Sequence, residues 1–78
     1  MSARRKTWRR RILKLGLITF NNGGTISCTV RDVSVAGACL EVANPVPDDF
    51  TLVIESDQIQ RRCHVAWRRA KRIGVAFD

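Results

Sequence analysis

Leu15-Gly16-Leu17-Ile18-Thr19-Phe20-Asn21-Asn22-Gly23-Gly24-Thr25-Ile26-Ser27-Cys28-Thr29-Val30-Arg31 is the stretch on which the fold turns. Leu15, Leu17 and Thr19 alternate with Gly16, Ile18 and Phe20, and Ile26, Cys28 and Val30 alternate with Ser27, Thr29 and Arg31. A period of two is the mark of a half-buried strand. Between the runs, Asn21-Asn22-Gly23-Gly24 supplies the residues that tight hairpin turns need. Two antiparallel strands are expected here.

The same pattern continues to the end of the chain. Ala38, Leu40 and Val42 make a third run, closed by Asn44-Pro45 and Pro47-Asp48-Asp49. Phe50, Leu52 and Ile54 make a fourth. Cys63, Val65 and Trp67 alternate with Arg62, His64 and Arg68 in a fifth, which places Trp67 on the apolar side. A basic turn from Arg69 to Arg72 leads to Ile73, Val75 and Phe77 in a sixth. Six short strands joined mostly by tight turns form an antiparallel sheet, and a flat one of this size exposes two edges. Closure removes both. The expectation is an all-β, six-stranded antiparallel β-barrel over residues 14–78, with a flexible basic N-terminal arm over residues 1–13 and no C-terminal helix.

At 78 residues the chain is one domain near the lower size limit for a self-sufficient core. Its net charge of +7 is unevenly placed. Arg4, Arg5, Lys6, Arg9, Arg10, Arg11 and Lys14 are 7 of the 14 basic residues, in a stretch without an acid. The other 7 balance all 7 acids. The excess therefore belongs to the arm and to Lys14 directly after it, which suits a polyanionic partner.

Several chemistries find no support. Cys28, Cys39 and Cys63 are odd in number and dispersed, so reduced thiols are expected rather than a disulfide framework. Cys63 and His64 lack a second ligand pair at zinc spacing, so no metal and no cofactor are expected. One histidine and no nucleophile with an evident base leave nothing for a catalytic mechanism. No segment reaches membrane-spanning length, and no cleavage site follows the basic start, so a cytoplasmic location is expected.

Two constellations remain. Arg5-Lys6-Thr7-Trp8-Arg9 carries forked cations that can grip phosphate bidentately or face the edge of guanine. Arg68 and Arg72 repeat that spacing, where a solvated hairpin turn accounts for them. Asp32-Val33-Ser34-Val35-Ala36-Gly37 suits a strand corner. Asp32 can accept from the N1–H and N2–H₂ edge of guanine, and Gly37 lets a flat base approach the backbone. The same residue types also build an ordinary turn. Trp8 can stack on a base or pin the arm to the barrel, and Arg4 and Arg10 flank the first motif as additional phosphate contacts.

In this order and inside a six-stranded pattern, the two constellations resemble the PilZ domain family of bacterial cyclic di-GMP receptors. Thr29 to Leu40 and Ile73-Gly74-Val75-Ala76-Phe77 extend the resemblance over essentially the whole chain. The resemblance implies that Arg5 and Arg9 hold phosphates and guanine edges, while Asp32, Ser34 and Gly37 seat a guanine on the barrel. It also implies a downstream protein partner that responds to the ordered arm. Many family members carry a helix after the last strand, so a partner or a second copy of the chain, as a homodimer, would close that barrel end here. A basic barrel binding nucleic acid through the arm is the alternative. Such proteins usually add exposed aromatics for stacking, whereas Trp67 and the three phenylalanines fall in the apolar alternation. A third reading makes the arm, with Ile12, Leu13 and Leu15, a segment that lies on a membrane surface.

Overall fold

Every apolar run becomes a strand in the computed structural model, which describes residues 13–78. The strands are β1 (Lys14–Thr19), β2 (Thr25–Val33), β3 (Gly37–Glu41), β4 (Asp49–Ile54), β5 (Ile59–Arg69) and β6 (Arg72–Phe77). They pair antiparallel in the order β1-β2-β3-β6-β5-β4 and close into a barrel through β1 and β4. Among the described residues the helical content is one 3-10 turn at Glu55–Asp57. The expected barrel is therefore the observed one. The candidate residues Arg4, Arg5, Arg9 and Arg10, together with Trp8, lie outside the described residues.

Alternation decides which side chains fill the barrel. Ile18, Val30, Leu40, Phe50, Leu52, Ile54 and Cys63 are fully enclosed, with Cys28, Ile73 and Val75 beside them. Each large apolar side chain so buried contributes about 1.5–3 kcal/mol. On β1 the inward set is Gly16 and Ile18, which leaves Leu15 exposed. Val42 and Val46, from the connection between β3 and β4, complete the core. The first hairpin closes as its sequence demands: Phe20 N–H donates to Gly24 O at 2.7 Å, and Asn22 Oδ1 accepts from Gly24 N–H at 2.9 Å.

β2 and β5 run further than their alternation suggests, and each contains a β-bulge. The register of β2 against β3 shifts between Val30 and Asp32, and that of β5 against β6 shifts between Val65 and Trp67. One extra residue in a strand reverses the facing of everything after it. Val30 points into the barrel, and beyond the bulge Asp32 takes the outer face while Val33 packs against the core. Val65 packs against the core, and beyond its bulge Trp67 comes out, 47% exposed. Trp67 is thus not on the apolar side that strict alternation assigns it. The bulge at Ala66 is the reason.

Candidate functional site

The two bulges place an aspartate and a tryptophan in one row across the barrel's outer surface. Asp32 is the register partner of Cys39, Cys39 of Gly74, and Gly74 of Trp67. The next row on the same face pairs Gly37 with Ala76. The floor thus consists of Gly37, Cys39, Gly74 and Ala76, none larger than a cysteine, with Asp32 at one side and Trp67 at the other. The result is a shallow depression of about 380 Å³, which Ser34 also lines. That volume is at the lower end of the range for small-molecule sites.

Two glycines are fixed by close approach. A Cβ built on Gly74 would overlap the indole nitrogen of Trp67, so the ring lies directly on the β6 backbone. A Cβ on Gly37 would overlap the backbone carbonyl oxygen of Val75. Gly37 is therefore demanded by the contact of β3 with β6, and its φ is not positive.

Ser34 builds the turn between β2 and β3. Its backbone N–H donates to Gly37 O at 2.8 Å, and its Oγ accepts from Ala36 N–H at 3.2 Å. Phe77 N–H donates to Ala36 O at 2.9 Å, which ties the turn to β6. The hydroxyl thereby holds the corner that brings Gly37 opposite Ser34. At the bulge itself, on the side away from the Ser34–Gly37 turn, Arg31 Nη1 donates to Glu41 Oε1 at 2.9 Å.

The thiol at the floor differs from the other two. Burial pushes the Cys28 and Cys63 thiols up to about 11, with the Asp78 carboxylate a lesser cause at Cys63. Cys39 is half-buried and opens onto the depression. All three are free. Among the described residues no group of three His, Cys, Asp or Glu side chains is placed to hold a metal. The only histidine, His64, has its Nδ1 2.8 Å from Asp78 Oδ1.

Of the sequence-derived candidates, Asp32, Ser34 and Gly37 thus converge on one depression. Trp67 is the residue that sequence reasoning missed. Its signal was the Trp67/Gly74 pair of one large and one small residue across a hairpin, which is visible only once the register is known.

On the wall of this small closed barrel, a shallow depression thus lies between a carboxylate and an exposed indole. A sequence model of the PilZ domain family matches residues 3–78, and the chain belongs to that family. PilZ domains are cyclic di-GMP-binding receptor domains and not a family of catalysts. Neither a curated protein nor a solved structure matches the chain. Among the described residues no helix is long and apolar enough to cross a membrane.

Proposed function

We propose that this chain is a cyclic di-GMP receptor whose guanine site is the depression between Asp32 and Trp67. Asp32 accepts from the N1–H and N2–H₂ edge of the base. The indole of Trp67 gives one stacking wall, and the floor of small residues lets the ring approach the backbone. Arg5 and Arg9 of the arm, with Arg4 and Arg10 as further contacts, hold the phosphates. Ligand binding orders the arm against the barrel, an order–disorder switch that a downstream protein reads.

The row Asp32–Cys39–Gly74–Trp67 carries this proposal. It supports guanine rather than a generic anion, because a carboxylate at the rim repels phosphate and attracts only the donor edge of a base. A second observation supports the arm's reach. β1 begins at Lys14, whose register partner is Val30, the last residue before the bulge that turns Asp32 outward. Lys14, the residue that follows the arm, is therefore next to the β2 bulge.

Titration calorimetry with cyclic di-GMP, cyclic di-AMP and GMP tests the proposal. Heat is expected with cyclic di-GMP and far less with the other two. Absence of heat with cyclic di-GMP at tens of micromolar protein, on the order expected for signalling ligands, overturns it.

The exposure of Trp67 also favours the rival, a barrel that binds single-stranded nucleic acid, since base stacking on aromatics is its usual device. The two differ at Asp32. Nucleic-acid binding through backbone charge survives Asp32→Ala, whereas guanine recognition does not.

A further inference from the structure

Beside the depression, the β5–β6 hairpin holds two like charges against each other. Arg69, the last residue of β5, and Arg72, the first of β6, are direct register partners, and both are exposed. Like charges placed directly opposite on an antiparallel pair are destabilising. The acids that could offset them are engaged elsewhere. Glu41, the partner of Arg72 on β3, is 2.9 Å from Arg31, and Asp48 is 2.8 Å from Arg68. Lys71, in the turn itself, adds a third cation. The two-residue loop Ala70-Lys71 enforces this geometry even though Ala70 sits at φ 55°, which a side chain resists.

The position of the pair gives the repulsion a use. Arg69 lies two residues beyond Trp67 on β5, and Arg72 two residues before Gly74 on β6, so all four share the outer face. The pair borders the depression on the side away from the Ser34–Gly37 turn, where Glu41 and Arg31 also lie. A base stacked on Trp67 carries its phosphate at its margin, not on its face. Two guanidinium forks there offer bidentate donors to that phosphate, and the anion removes the repulsion between them.

We infer that Arg69 and Arg72 form a second phosphate grip, outside both sequence motifs, for a nucleotide whose base is stacked on Trp67. This rests on the nucleotide reading of the depression given above. It separates the hairpin arginines, paired across two strands, from the Arg68/Arg72 spacing, which brings together no site.

Wild type, Arg69→Gln/Arg72→Gln and Asp32→Ala are titrated calorimetrically with cyclic di-GMP, and with inorganic pyrophosphate at matched ionic strength. The double variant is expected to weaken both ligands, cyclic di-GMP by about tenfold, and to melt higher than wild type without ligand. Asp32→Ala is expected to weaken cyclic di-GMP without weakening pyrophosphate. If wild type and the double variant bind cyclic di-GMP equally, the grip is refuted while the receptor function stands. If wild type ignores cyclic di-GMP but pyrophosphate binding falls in the double variant, the grip stands and the receptor function falls. If neither ligand responds to the double substitution, the grip is refuted whatever the receptor does. Arg69→Lys/Arg72→Lys keeps the charge without the fork and is expected to recover only part of the affinity.

Discussion

The indole of Trp67 rests on the backbone of Gly74, its register partner across β5 and β6, in a space that no other residue leaves free. Gly74→Ala should therefore lift the ring off the sheet without touching the core, since Gly74 faces outward between Ile73 and Val75. In a Trp8→Phe background, the emission of Trp67 should shift to the red, and cyclic di-GMP affinity should fall. Trp67→Ala removes the stacking wall altogether and should weaken binding by about 1–3 kcal/mol. An unchanged spectrum and affinity in Gly74→Ala would show that the ring's placement has no bearing on binding.

Asp32 divides recognition from stability. It stands on the outer face beyond the β2 bulge, and its side chain supports no part of the core cluster. Asp32→Ala should lower cyclic di-GMP affinity by about tenfold or more, the cost of leaving guanine donors unpaired. The melting temperature should move little. Asp32→Asn keeps the size but presents an amide to the base, and it should narrow the preference for cyclic di-GMP over cyclic di-AMP. Calorimetry of the three proteins with both dinucleotides checks this, and a variant that keeps its full preference removes Asp32 from the site.

The strands were legible in the sequence because each alternates strictly over its buried part, from Ile18 on β1 to Val75 on β6. The turn residues of Asn21–Gly24 and Ser34–Gly37 fixed where two hairpins close. What alternation could not show was its own interruption. A bulge adds one residue and leaves no compositional mark, so nothing in Val30-Arg31-Asp32 or Val65-Ala66-Trp67 announces the reversal. Strict alternation aims Asp32 into the barrel and Trp67 with it. The Asp32-Val33-Ser34-Val35-Ala36-Gly37 motif nonetheless singles out Asp32, while Trp67 lies outside any motif. Gly37 was identified for a base's approach, whereas the neighbour that excludes a side chain there is Val75 on β6.

Gly37→Ala should consequently behave unlike the other site substitutions. Its Cβ meets backbone rather than a movable side chain, so β3 and β6 must separate to admit it. Such overpacking costs about 1–3 kcal/mol, a large part of the stability of a domain of this size. Loss of ligand binding in this variant should come with a lowered melting temperature, unlike in Asp32→Ala. Denaturant unfolding of both variants separates the effects.

Ala70 carries the strain of the hairpin that sets Arg69 against Arg72. Its φ of 55° lies in the left-handed region, which glycine adopts freely and alanine does not. Ala70→Gly should stabilise the free protein by about 0.5–1 kcal/mol, the left-handed penalty less the added flexibility of the unfolded chain. Thermal unfolding checks it, and a lower melting temperature would refute it.

The three thiols should report occupancy of the depression. Cys28 and Cys63 are buried and their thiols are held up near 11, so neither offers thiolate or access at pH 8. Cys39 opens onto the floor between Asp32 and Gly74. Iodoacetamide at pH 8 should therefore modify the native protein at Cys39 alone, and cyclic di-GMP should slow that modification several-fold, while cyclic di-AMP should not. The same burial fixes the sign of the alkaline response. A thiol raised in the fold above its ordinary value of 9.0 contributes stability that is intact below pH 9 and is lost as pH rises towards 11. Cys63→Ala should shallow that decline in melting temperature. Mass spectrometry of the alkylated peptides decides the first point: equal protection of Cys39 by both dinucleotides, or by neither, places the guanine somewhere other than this floor.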